Sequence, residues 1–196
     1  MKRSLFALAM AASMLVAAPV AQATIINYAA NLSGPNEVPQ NASPGTGFAF
    51  VIVDNVANTM QIHATFSGLT GNTTASHIHC CTAIPLAGTV GVATTTPSFT
   101  GFPLGVTSGT YDIILDMTLA SSYNSSFVTN NGGTEASAGA FLFNGMSLNQ
   151  SYFNIHTTAF PGGEIRGFLT QVPEPATLAL FCFGLAGLGW SRYRIR

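Results

Sequence analysis

Charge is what this 196-residue sequence has least of, at 7% of its residues. Lysine occurs only at Lys2, and between Arg3 and Arg192 the sole basic side chain is Arg166. It faces Glu37, Asp54, Asp112, Asp116, Glu135 and Glu164, so the middle of the chain is mildly acidic. With no Lys/Arg patch to meet a phosphate backbone, nucleic-acid binding is excluded. Also missing are a nucleophile elbow, a phosphate-binding glycine loop, a C-x-x-C pair, an H-E-x-x-H motif and any internal repeat. Asp112 and Asp116 share a strand face but stand four residues apart, too far for a tight acid–base pair. These absences lean against an enzyme. The shortage of charge does not mean disorder, because 47% of residues are hydrophobic and 10% aromatic.

What the sequence has in quantity is short apolar stretches separated by Gly, Pro and Asn. Strands are expected at 25–32, 47–53, 60–66, 74–79 and 110–119, with a proline-rich loop at 33–45. The 47–53 run is apolar throughout and reads as a fully buried strand. Residues 82–105 are dense in Thr, Gly and Pro and give only a fragmentary strand signal near 89–93. Two short helices are expected at 121–133, stopped by a double glycine, and at 134–146, the latter weakened by Gly139 and Gly145. The sum is a mainly β fold, a Greek-key β-sandwich or barrel with one or two short helices.

Both ends carry addresses. Lys2-Arg3, an apolar run over 5–20 and Ala21-Gln22-Ala23 form a secretory signal peptide over 1–23, cut after Ala23 by signal peptidase. Export places the chain in a compartment that permits disulfides. At the other end an apolar run over 176–190 precedes a tail with Arg192, Arg194 and Arg196. At roughly 1.5 Å per residue the run is about 22 Å long, marginal for a membrane anchor whose basic end stays in the cytoplasm.

The densest polar stretch is 152–169, where Tyr152, Asn154 and His156 lead into a Pro161-Gly162-Gly163 turn and then Glu164 and Arg166. Period-two alternation sends Phe153, Ile155, Ile165 and Leu169 inward. It should bring His156, Glu164 and Arg166 out of the core on one side. His77-Ile78-His79 places two more imidazoles on one strand face, about 7 Å apart. His77, His79 and His156 on one face form a candidate site for Zn or Cu, completed by solvent or Glu164, with His63 and Cys81 as further candidate ligands. The other reading is structural: imidazoles tie strands to loops and Glu164 pairs with Arg166. Cys80-Cys81 is open between a vicinal disulfide, a metal thiolate, an intermolecular bridge and free thiols. Cys182 falls in the C-terminal apolar run.

Two resemblances rest on these residues. Pro173-Glu174-Pro175, the apolar run and the Arg-rich end are similar to the PEP-CTERM sorting signal of Gram-negative bacteria. That resemblance implies a membrane-anchored precursor, recognition by an exosortase, removal of the helix, and delivery to the cell envelope or exopolysaccharide matrix. The alternative is a tail retained in the membrane. Separately, 32–39 (L-S-G-P-N-E-V-P), 76–79 (S-H-I-H), 152–157 (Y-F-N-I-H-T) and 161–167 (P-G-G-E-I-R-G) resemble the CHRD domain, in family order and covering nearly all of 24–171. The resemblance implies an extracellular β-rich module without a defined reaction. The two addresses and the missing catalytic constellation point to a structural, adhesive or binding role, with envelope or matrix components such as exopolysaccharide as partners. Cys80-Cys81 departs from the family pattern, which continues after H-I-H with glycine. In outline the His arrangement is also similar to Cu/Zn superoxide dismutase, without the Asp and bridging His of a dinuclear centre.

Overall fold

The structure is a computed structural model in which residues 25–173 are described. The signal peptide with Ala23, the apolar run over 176–190, the basic tail, Glu174, Pro175 and Cys182 lie outside the described residues. Among the described residues no helix is long and apolar enough to cross a membrane.

Eight strands form one curled antiparallel sheet. In chain order they are β1 (Ile25–Ser33), β2 (Thr46–Asp54), β3 (Thr59–Ser67), β4 (Thr73–His79), β5 (Gly109–Asp116), β6 (Tyr152–Thr157), β7 (Ile165–Phe168) and β8 (Thr170–Val172). Their spatial order is β4-β6-β7-β1-β2-β3-β5, with β8 alongside β1. β1, β2, β3 and β5 are a meander in continuous register. β4, β6 and β7 form the other half, joined to β1 where Ser33 meets Arg166.

The outer edge of β4 is covered by the long connection from this strand to β5. Ala93 donates to the Ile78 carbonyl, Phe99 to that of Ser76 and Gly105 to that of Thr73, and the chain then enters β5 at Gly109. The edge of β4 is thereby satisfied by an irregular chain rather than a ladder, which answers the cost of an unpaired sheet edge. This is why residues 82–105 showed no strand period. The fragment expected near 89–93 contributes one isolated bridge, His79 to Val92.

The core follows the alternation. Tyr28, Ala30 and Leu32 of β1 face Ala49, Val51 and Val53 of β2 and Met60, Ile62, Ala64 and Phe66 of β3, with Ile78, Phe153, Ile155, Ile165 and Leu169 from the other half. Each fully buried Ile or Leu contributes roughly 1.5–3 kcal/mol. The 47–53 run corrects the expectation of burial on both faces: Ala49, Val51 and Val53 are buried, whereas Phe48 is exposed and Phe50 and Ile52 only half-buried.

Both helices are present, shorter than or shifted slightly from their expected spans: α1 (Ser125–Asn130), capped by Asn124, and α2 (Glu135–Ser147), opened by a Thr134–Ser137 capping box. Ala138, Leu142 and Met146, at i, i+4 and i+8, turn one face of α2 to the core. The glycines that argued against this helix are contact points. A Cβ at Gly139 would meet the Tyr123 hydroxyl, and one at Gly145 would collide with the sulfurs of Cys80 and Cys81.

Candidate metal centre

β4 and β6 place the three imidazoles. In their register His77 pairs with Asn154 and His79 with Tyr152, while His156 stands opposite Ala75. All three leave the core on the outer side of the sheet, yet they are not surface residues. His77 is 6% exposed, His79 8%, and His156 half-buried. The connection after β4 lies over them, so the polar face is a second, polar interior.

Each ring is held by a backbone carbonyl. His77 Nε2 lies 2.8 Å from the Pro97 oxygen, His79 Nδ1 2.8 Å from that of Val90, and His156 Nδ1 2.9 Å from that of Pro161. A carbonyl only accepts, so each of these nitrogens carries the proton and fixes the tautomer. The remaining nitrogens, Nδ1 of His77 and Nε2 of His79 and His156, are bare lone pairs, buried and without a hydrogen-bond partner. The rings crowd together, with centroids 5.2 Å apart for His77 and His156, 5.9 Å for His77 and His79, and 6.1 Å for His79 and His156. One ligand nitrogen from each lies within 4.8 Å of those of the other two. Three points no farther apart than that share a centre within about 2.8 Å of each, and a contraction of under about 1 Å reaches the ~2.0–2.1 Å of a Zn–N bond.

The electrostatics agree. Burial pushes His77 and His79 down to about 4, only partly offset by their carbonyl bonds, and neighbouring imidazoles lower them further. Burial likewise lowers His156. The three rings are therefore neutral at pH 7, the form that ligates metal. A buried acceptor left unmade costs about 1–3 kcal/mol, and this spot gathers three of them. A carbonyl fixing the far nitrogen of each ring is the usual outer support of a ligating histidine.

His79 stacks on Tyr152 at 4.6 Å, and the Arg166 guanidinium covers the Tyr152 ring, also at 4.6 Å from its centroid. Arg166 Nε donates to the Asn36 carbonyl at 2.6 Å and a terminal nitrogen to that of Gly88 at 3.1 Å, tying the loop after β1 to the loop after β4.

A family model described as the CHRD domain matches residues 28–169, the span containing every strand that builds the site. The chain belongs to the CHRD domain family. A second model, the PEP-CTERM protein-sorting motif, matches residues 171–194. The CHRD protein is therefore a secreted, exosortase-sorted protein, exported to the cell envelope of a Gram-negative bacterium. No curated protein and no solved structure matches it.

Glu164 and Arg166, expected together beside His156, go separate ways. Gly163, at φ +134°, turns the chain before β7 begins at Ile165, so strand alternation does not govern Glu164. Its carboxylate is fully buried and spent on four donors. Oε1 accepts from Ser43 Oγ and the Thr70 amide, both at 2.5 Å, and Oε2 from Thr157 Oγ1 at 2.6 Å and the Gly71 amide at 3.1 Å. Burial alone would raise this carboxyl, but the four hydrogen bonds outweigh it and hold it low. Glu164 thus knots three loops at one end of the sheet and leaves the ligand set. The carboxylate beside Arg166 is Glu37, with Oε2 3.8 Å from Nε.

His63 lies on β3, where it pairs with Asp112 across the strands at 2.7 Å, His63 half-buried and Asp112 exposed, both outside the cluster. Cys81 is bonded to Cys80 in a vicinal disulfide. That selects one of the four sequence readings and removes its sulfur from the ligand set. Pro173 ends the described chain.

Sequence reasoning missed the carbonyls of Val90, Pro97 and Pro161, which side-chain patterning cannot reveal, and the burial of Glu37. Asn154 could have been found, since alternation already placed it on the face of His156.

Proposed function

We propose that this exported CHRD module binds one Zn or Cu ion through His77 Nδ1, His79 Nε2 and His156 Nε2, and serves in the envelope or exopolysaccharide matrix as a metal-holding structural or binding component. The observation that carries the reading is a cluster of three imidazoles with ring centroids 5.2 to 6.1 Å apart, each held by a carbonyl at one nitrogen and left buried without a partner at the other. A structural role alone would explain the carbonyl bonds but would leave three buried acceptors of one cluster with no donor. Three neutral imidazoles suit Zn and Cu over Mg or Ca, which take oxygen ligands. Copper would make the site redox-active and zinc would not.

Elemental analysis of the protein exported to the periplasm and purified without chelator tests this directly. About one Zn or Cu per chain is expected, falling to background in His77→Ala and His79→Ala. Equal metal content in wild type and both variants would reject the site.

In the same reading the module reaches its destination by signal peptidase cleavage after Ala23 and exosortase processing at Pro173-Glu174-Pro175. Mass spectrometry of the mature C-terminus should find residues 190–196 absent. Their recovery would mean a tail retained in the membrane.

A further inference from the structure

Two more buried oxygens lack a hydrogen-bond partner in this half of the sheet, one of them on Asn154, the register partner of His77. Asn154, 3% exposed, stands between His77 on β4 and Arg166 on β7 in the strand registers, and its Oδ1 has no partner. Glu37, 4% exposed, comes from the loop after β1, and its Oε1 has no partner either. Both groups converge on the Cα of Gly163. A Cβ built there would stand 2.6 Å from Glu37 Oε1 and 2.7 and 2.9 Å from Nδ2 and Oδ1 of the Asn154 amide. The β6–β7 turn passes this point only because residue 163 has no side chain. Five buried polar atoms without a partner therefore fall on β4, on β6 and in the loop after β1: three ring nitrogens and two oxygens, the Glu37 carboxyl being raised to about 7 by burial.

A bare metal ion accounts for the three nitrogens but supplies no donor to the two oxygens. One solvent molecule bound to that ion closes the count, because its lone pair goes to the metal and its two O–H groups are free to donate. We propose that the metal centre keeps a fourth, exchangeable position for solvent or a small donor ligand, and that Asn154 Oδ1 and Glu37 Oε1 are the positioning acceptors that orient what binds there. This inference rests on the three-histidine reading above and deepens it. Three protein ligands with one open position distinguish a centre that takes up small molecules from a closed structural one. Glu37 is itself steadied by Arg166, whose remaining hydrogen bonds fix the loops on either side.

The test uses the full exported chain loaded with Co(II), read by visible absorption during azide titration. The metal count is taken first, so that failure of the site itself is seen separately: a wild-type chain that takes up no Co(II) defeats both readings. With metal bound, azide should shift the wild-type bands by displacing solvent. Glu37→Gln and Asn154→Val should retain about one Co(II) per chain and native circular dichroism. Asn154→Val loses one hydrogen bond to the displaced solvent and Glu37→Gln exchanges a charged acceptor for a weaker neutral one, so both should bind azide more tightly, Asn154→Val about fivefold. Asn154→Val separates this effect from simple removal of a negative charge. Wild-type bands indifferent to azide would show a closed site and overturn the proposal. So would azide affinities in both variants within about twofold of wild type, since a purely structural role for Asn154 and Glu37 leaves the metal's spectrum unmoved.

Discussion

His79 and Tyr152 stack nearly parallel, with ring centroids 4.6 Å apart and an interplanar angle of 8°, and both reach the carbonyl of Val90. His79 Nδ1 lies 2.8 Å from that oxygen and the Tyr152 hydroxyl 3.2 Å from it. With Arg166 also over the Tyr152 ring, the stack fixes both the plane and the tautomer of one candidate ligand. Tyr152→Phe keeps the stacking and removes the hydroxyl's hold on Val90. Outer supports of this kind are worth about 10–100-fold in metal affinity. Competition titration with a chromophoric chelator should place the variant about tenfold weaker than wild type, with the metal count at saturation unchanged.

The metal-free protein should lose stability in mildly acidic solution. His77 and His79 are held down to about 4 by burial, against about 6.5 in an unfolded chain. As pH falls below the unfolded value, the unfolded chain takes up protons that the folded one refuses. Stability present at pH 7 therefore drains away between about 6.5 and 4. Urea midpoints of the apo protein should fall steadily across that window, and the His77→Ala/His79→Ala double variant should show a flatter profile.

Glu164 should matter to the fold and not to the metal. Its four donors come from the loops after β1 and β3 and from the β6–β7 hairpin. Glu164→Gln replaces an acceptor-only group by one that must turn a donor toward donors. A loss of about 2–4 kcal/mol in urea unfolding is expected, at unchanged metal stoichiometry. Because this carboxyl is held low, its stabilisation is in place above the ordinary carboxylate range and is lost as pH falls through its lowered value.

The vicinal disulfide sits against Gly145 of α2, with Cys80 in the core and Cys81 packed against it. Neither sulfur is available to a metal in this state. The Cys80→Ser/Cys81→Ser variant should keep one metal per chain, and thiol labelling of the unfolded wild-type domain without reductant should find both residues blocked. Loss of metal from the double variant would return sulfur to the ligand set.

Much of the fold was legible because the sheet obeys period two. Ile62 and Ala64 face in, Gln61 and His63 face out, and the same rule set His77, His79 and His156 on one side. The rule failed at three places for identifiable reasons. Glu164 follows a glycine turn and precedes the ladder, so its direction was set by Gly163. The 47–53 run is apolar on both faces but covered on one, which composition cannot distinguish. The connection over 82–105 makes its bonds from irregular backbone to β4. Nothing in its side chains announced that Val90 and Pro97 would supply the carbonyls that fix His79 and His77. The residues of the candidate site could be read from sequence, but their burial and tautomers could not.

The most direct measurement is an anomalous difference map from crystals of the exported, metal-loaded protein, collected at the absorption edge of the metal found by elemental analysis. The account predicts one peak at about 2.0–2.1 Å from Nδ1 of His77 and from Nε2 of both His79 and His156, with Nε2 of His77 still on the Pro97 carbonyl. A peak bound through the opposite nitrogen of His77, a peak at His63 or the cysteines, or no peak among these three rings would contradict it.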